Sequence, residues 1–194
     1  MRIKRVKKEC NCIVKDEKVA LLVMDLQFGP LWGTYKKEET MLVIKKLIKK
    51  AELEDIPIIY TQHEELPGGF LVKGSQYWQF EQGISPRSKD IIIHKQATDA
   101  FHNTSLKDEL RKREITRLVV VGARTEYCVD TTCRAAIALG FNVTLVEDGH
   151  TCIDGVIPAE SIIKHHNYNL NTVATLETYI SVLSSDQVIF RKES

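Results

Sequence analysis

The sequence predicts an α/β domain of three layers, α/β/α, around a mostly parallel, doubly wound sheet. Three observations carry this expectation. Short apolar runs rich in β-branched residues recur along the chain, and amphipathic helical stretches separate them. The leading run is continuously apolar rather than alternating, which marks a strand covered on both faces. Five or six β-α alternations then imply parallel strands joined by helical crossovers on both sides of one sheet.

Val19–Met24, reading VALLVM, is the first strand. Residues 40–53 follow as a helix, with Leu42, Val43, Leu47, Ile48 and Ala51 on one stripe and lysines opposite. Residues 56–61, 91–94, 118–121 and 142–146 are further strands, and residues 171–174 are a weaker sixth candidate. Thr104 or Ser105 caps a helix through Lys112, with Asp108 at the capping-box position. The strongest strand leads into a helix over 126–139 that stops at Gly140. Pro158 opens another helix in its first turn. No repeat or linker divides the chain, so residues 19–194 are read as one domain behind a basic segment, 1–18.

That segment carries seven basic and three acidic residues, +4, which leaves −3 for the rest of a chain whose formal net charge is +1. The near-balance argues against a nucleic-acid or membrane-surface binder. No apolar core of signal-peptide length follows the basic residues, and no run approaches a membrane span. The segment is expected to be an exposed tail. At 194 residues, 43% hydrophobic and 27% charged, the composition is globular rather than disordered. Five cysteines without a CxxC pair fit neither a disulfide framework nor a zinc ribbon and point to a reducing, cytoplasmic location.

In open parallel sheets chemistry sits beyond the carboxyl ends of the strands. Three residues of complementary chemistry fall there: Asp25 after the first strand, Lys95 after the third, and Cys128 in the turn after the fourth. A thiol attacks as thiolate. A helix N-terminus and a nearby ammonium both favour that anion, so the Cys128 pKa is expected below the ordinary value of about 8.5. A carboxylate beside the thiol can take its proton and return it to a leaving amine. Each residue also has a plain alternative: Cys128 as a small buried hydrophobe, Asp25 as a loop cap, Lys95 snorkelling to solvent. Cys133 and Cys152 are read as structural or incidental, and His150, His165 and His166 as structural or at a subunit contact.

The segments VALLVMDLQ (19–27), IIIHKQATDAF (91–101), LVVVGARTEYCVDTTCRAAIALGFNVTLVEDGH (118–150) and AESIIKHHNYNL (159–170) resemble the isochorismatase-like cysteine hydrolase superfamily. The closest motif likeness is to its streptothricin-hydrolase-type and unassigned cysteine-hydrolase branch. The resemblance implies a Rossmann-like, six-stranded sheet between helical layers and an Asp25-Lys95-Cys128 triad. It also implies a cis peptide between Ala123 and Arg124, with the backbone N–H groups of Arg124 and Cys128 as an oxyanion hole. Such an enzyme would cleave a small amide, ureido or lactam C–N bond through a thioester. It would be a homodimer or larger, with loops such as 68–80 coming from, or covering, a neighbouring subunit's pocket.

Departures narrow the expectation. Nicotinamidases of the superfamily carry an Asp-x-His metal segment, where this chain reads Thr61-Gln62-His63-Glu64-Glu65. His63 and Glu65 alone are a thin ligand set, so neither metal nor cofactor is expected. Isochorismatases proper lack the cysteine. A nicotinamidase-like or isochorismatase-like hydrolase of another metabolite stays open as an alternative, as does a thiol redox sensor or small-molecule binder on the same fold. A dinucleotide binder is disfavoured, because no G-x-G-x-x-G follows the first strand. Gln27, Phe28, Trp32, His63, Phe101 and Tyr127 are candidates for the pocket of a small-molecule substrate.

Overall fold

A computed structural model describes residues 17–191. The basic segment at 1–16, with Cys10 and Cys12, therefore lies outside the described residues. The elements are β1 (Val19–Met24), α1 (Phe28–Leu31), α2 (Lys37–Leu53), β2 (Ile58–His63), β3 (Ile91–Lys95), α3 (Leu106–Lys112), β4 (Arg117–Ala123), α4 (Asp130–Ala138), β5 (Asn142–Thr151), α5 (Ala159–Leu170) and β6 (Ile180–Leu183). A π-helical turn, Thr125–Val129, joins β4 to α4.

The six strands form one sheet in the order β3-β2-β1-β4-β5-β6, and every pairing is parallel. β1 lies between β2 and β4 and is wholly buried, as its continuous apolar run requires. Its side chains alternate between two cores. Ala20, Leu22 and Met24 pack with Leu106, Leu110, Cys133, Ala136 and Leu170, from α3, α4 and α5. Val19, Leu21 and Val23 pack with Met41, Ile44, Leu47 and Ala51 of α2. The sheet thus lies between two helical layers, as the sequence predicts.

The differences from expectation are local. α2 begins at Lys37 rather than 40, with Glu38 and Glu39 in its first turn, where acidic side chains suit the helix dipole. Thr104, not Ser105, accepts the Leu106 N–H, and α5 begins one residue after Pro158 with Asp154 accepting the Ala159 N–H. β2 starts after Pro57 and runs on to His63, which pairs in register with Lys95. β5 extends to Thr151 through a register shift opposite Val120–Gly122. The expected strand at 171–174 is not one. α5 runs to Leu170 and Asn171 caps it, while Ala174 makes only an isolated antiparallel bridge to Tyr179. The sixth strand is Ile180–Leu183, a β-branched run that completes the edge beside β5.

The chain builds outward from β1 in one direction and from β4 in the other. Between these two strands lies the switch point where ligands bind in open parallel sheets. Gly122 lies at that seam with φ +132, and a Cβ there would meet the Met24 carbonyl oxygen at 2.1 Å. Only glycine lets the two strand ends come this close.

Candidate active site

Asp25 follows β1 directly, with φ +48, a left-handed conformation that Asp tolerates better than most residues. Its N–H donates to the Thr61 carbonyl and to Thr61 Oγ1, both at 3.2 Å, and Thr61 Oγ1 donates to Asp25 Oδ1 at 2.6 Å. The other oxygen, Oδ2, lies 2.8 Å from Lys95 Nζ, an ion-pair contact without hydrogen-bond alignment. One carboxylate oxygen is thereby fixed, and the other faces the ammonium.

Lys95 closes β3 at the sheet edge, yet its side chain is fully buried. Besides Asp25, its Nζ lies 3.0 Å from His63 Nδ1, 3.1 Å from the Ala97 carbonyl oxygen and 3.2 Å from Cys128 Sγ. Burial alone would lower the Lys95 pKa. The charges of Asp25 and Cys128, in close contact with the ammonium, outweigh it, so the pKa lies above the usual lysine value. Asp25, His63 and Cys128 present donor atoms within 4.8 Å of one another. Lys95 Nζ contacts all three, so a cation already occupies the centre of this group.

Cys128 is buried in the π-helical turn rather than in the first turn of a regular helix. His150, also buried, steadies that turn. Its Nδ1 lies 2.8 Å from Thr125 Oγ1 and its Nε2 lies 2.8 Å from Asn167 Oδ1. The carbonyl of Asn167 assigns the proton to Nε2, leaving Nδ1 to accept from Thr125. The expectation of a depressed thiol pKa is overturned. Burial, joined by the Asp25 carboxylate, pushes the Cys128 thiol up to about 12 against the opposing pull of Lys95. The sequence showed the helix and the ammonium but not how fully the sulfur is withdrawn from water. Among the described residues the other cysteines, Cys133 and Cys152, are buried in the core, and burial raises both thiols.

The peptide between Ala123 and Arg124 is cis. The Arg124 carbonyl accepts the N–H groups of Tyr127 and Val129, which orients the turn. Arg124 Nε donates to the Pro30 carbonyl at 3.1 Å. This places Arg124 and Cys128 on one lip of a pocket of about 470 Å³ that opens over Asp25, His63 and Cys128.

The pocket wall differs in part from expectation. Trp32, His63 and Tyr127 line it. Gln27 does not: it is fully buried, its side chain bonding both the N–H and the C=O of His63 and the Trp78 carbonyl. Phe28 lies behind the wall, against Trp32 and Tyr77. Phe101 points into the core, stacked on Phe141 at 6.0 Å. Sequence reasoning missed Phe70, Tyr77 and Thr98. The first two lie in a segment without periodicity, where only their aromatic type was a signal. Trp32 stacks on Tyr77 at 5.5 Å, and Phe70 packs on Tyr77 at 4.9 Å. The loop at 68–80 thus covers the pocket of its own chain. Glu65, the second half of the weighed ligand pair, accepts the N–H groups of Phe70 (2.6 Å) and Leu71 (3.1 Å), and so ties that loop down.

No helix among the described residues is long and apolar enough to cross a membrane. The family model described as Isochorismatase domain matches residues 19–178. An uncharacterized isochorismatase family protein of Bacillus subtilis, YrdC, is 27% identical over 184 residues, covering 90% of this chain and 96% of that protein. Streptothricin hydrolase of Streptomyces noursei is 29% identical over 143 residues, 72% of this chain but 51% of that protein. The crystal structure of an isochorismatase from Pseudomonas putida superposes with a TM-score of 0.80 at 28% identity, covering 89% of this chain and 90% of that one. With the all-parallel sheet and the site at its switch point, these matches establish that the chain belongs to the isochorismatase family.

Proposed function

We propose that the protein is a cysteine-dependent hydrolase of a small amide, ureido or lactam C–N bond. The observation that carries this reading is the meeting of Asp25, Lys95 and Cys128 around one ammonium nitrogen at the floor of the pocket. A raised thiol pKa means that the resting sulfur is protonated, so deprotonation belongs to the attack itself and needs a base. Asp25 Oδ2 is that base. The Sγ–H proton passes to Asp25 as sulfur bonds to the carbonyl carbon, and the C=O electron pair moves to oxygen. The N–H groups of Arg124 and Cys128 receive the oxyanion, and Lys95 balances the charge of the thiolate as it forms. The intermediate collapses by breaking the C–N bond, with the Asp25 proton going to the departing nitrogen. Water, deprotonated by Asp25, then attacks the thioester, and the sulfur leaves and recovers its proton. A cysteine nucleophile favours this acyl chemistry over vinyl-ether cleavage. The likeness to streptothricin hydrolase supports a hydrolase. The aromatic wall of Trp32, Tyr77 and Phe70 suits a substrate with a flat or apolar part.

The test is release of ammonia or amine from a panel of small amides, ureides and lactams. The expected result is turnover of at least one class, reduced about a thousandfold or more in Cys128→Ala. Failure of the wild type across the panel, or turnover that survives Cys128→Ala, would overturn the reading.

A further inference from the structure

The pocket over Cys128 holds one charge that the proposed reaction does not use. At its floor Asp25 and Lys95 offset each other. On its wall Glu65 commits one carboxylate oxygen to the N–H groups of Phe70 and Leu71. Arg124 remains, part-buried in the same wall. Its Nε donates to the Pro30 carbonyl at 3.1 Å, which uses one of five N–H donors. Among the described residues neither Nη group has a hydrogen bond, and no carboxylate forms an ion pair with the guanidinium. We propose that the substrate is a short amide- or ureido-acid whose free carboxylate is bound by the Arg124 side chain. This rests on the hydrolase reading for the bond that breaks, and it adds which molecules the pocket selects.

The anchoring bond decides which edge of the guanidinium is offered. Pro30 also lines the pocket, so the contact through Nε holds the group at the wall. The edge left over is the fork of the two Nη groups, whose parallel N–H bonds match the two oxygens of a carboxylate. Glu65 follows β2 and Arg124 follows β4, with β1 between them. The negative and positive sides of the pocket are thereby separated, and an anion is favoured on the Arg124 side. No further cation lines the pocket among the described residues, and Lys95 is committed to Asp25. One guanidinium fits a carboxylate monoanion better than a phosphate dianion. The size of the substrate follows from the same residue. Arg124 offers its backbone N–H to the oxyanion and its side chain to the carboxylate, so the two ends of the substrate lie within one arginine side-chain length. The stacked Trp32 and Tyr77 rings suit a flat spacer between them.

The test reads binding rather than turnover, so its failure is distinguishable from failure of the hydrolase reading. Full-chain Cys128→Ala, which cannot form the thioester, is titrated calorimetrically with succinamate, glutaramate, terephthalamate and N-carbamoylglycine. Each acid is compared with its neutral amide: succinamide, glutaramide, terephthalamide and N-carbamoylglycinamide. At least one acid should bind about tenfold or more tightly than its own neutral amide, the scale of charge-assisted hydrogen bonds. In Arg124→Gln on the same background, which removes the fork, that preference should drop to within about twofold. Acids that bind no better than their neutral amides, with no binding of any acid included, would overturn the proposal. So would a preference that survives at full size in a folded Arg124→Gln. If Arg124→Gln does not fold, Arg124→Lys takes its place: the ammonium keeps the charge but not the fork, so the preference should fall about threefold or more, and an unchanged preference would overturn the proposal. Acid-selective binding that depends on Arg124, without ammonia or amine release by the wild type, would support this site and remove only the hydrolase reading.

Discussion

The ion pair between Asp25 and Lys95 gives the sharpest test of the site as built. Its side chains are 2% and 0% exposed and the charged atoms are 2.8 Å apart. At an effective dielectric of about 20, that separation corresponds to an attraction of about 6 kcal/mol. Most of it offsets the cost of taking both charges out of water, so the pair adds little net stability. Its members are nevertheless strongly coupled. Lys95→Met keeps the length of the side chain but leaves a buried carboxylate facing only Thr61 and a thiol. Asp25→Asn keeps the shape but leaves a buried ammonium short of its counter-charge. Each single change should cost about 3–5 kcal/mol. The double variant removes both charges and should cost less than the sum of the two by about 2 kcal/mol or more. Urea unfolding of the four proteins at pH 7, analysed as a double-mutant cycle, measures the difference. Additivity within about 0.5 kcal/mol would mean that the two groups do not share the energetic contact the geometry gives them.

Two further expectations concern protons. Because burial and Asp25 push the Cys128 thiol up to about 12, its alkylation by iodoacetamide should still be rising with pH at 10, and a plateau near pH 8.5 would show an unperturbed thiol. His150 is fully buried and burial lowers its pKa to about 4, so between pH 6.5 and 4 the unfolded chain binds a proton that the folded chain refuses. Stability should therefore fall as pH drops through that window, by about 3 kcal/mol from this residue alone. In His150→Gln the pH 7 to pH 4 difference in urea unfolding should shrink by about that amount, and an unchanged difference would remove His150 as the source.

The candidate catalytic residues were legible from residue type and position at a strand end, joined to the family resemblance of the segments that carry them. Asp25, Lys95 and Cys128 each follow a β-branched run, and parallel strands all open their carboxyl ends to one rim. The pocket wall was not legible in the same way. Phe28 and Phe101 have the aromatic chemistry of wall residues but pack against Tyr77 and Phe141, while Phe70 comes from a loop whose path no periodicity announces. The sequence places the sixth strand at 171–174, whereas it lies at 180–183 because α5 runs to Leu170 and its C-terminal turn uses Asn171, a boundary set by packing rather than propensity.

Sequence alone determined the layered parallel architecture, since continuous apolar strands and striped helices can bury their faces in few other ways. It placed three groups of complementary chemistry at strand ends, and the resemblance to isochorismatase-like hydrolases implied that they meet. Tertiary structure decided the state of those groups. Lys95 lies two strands away from β1 at the sheet edge, and only its buried reach past His63 brings its nitrogen between carboxylate and sulfur. That enclosure removes water from the thiol and reverses the expected direction of its pKa. The physical reason is that secondary structure follows from local periodicity, whereas desolvation and charge coupling depend on everything that packs around an atom, most of it remote in the chain.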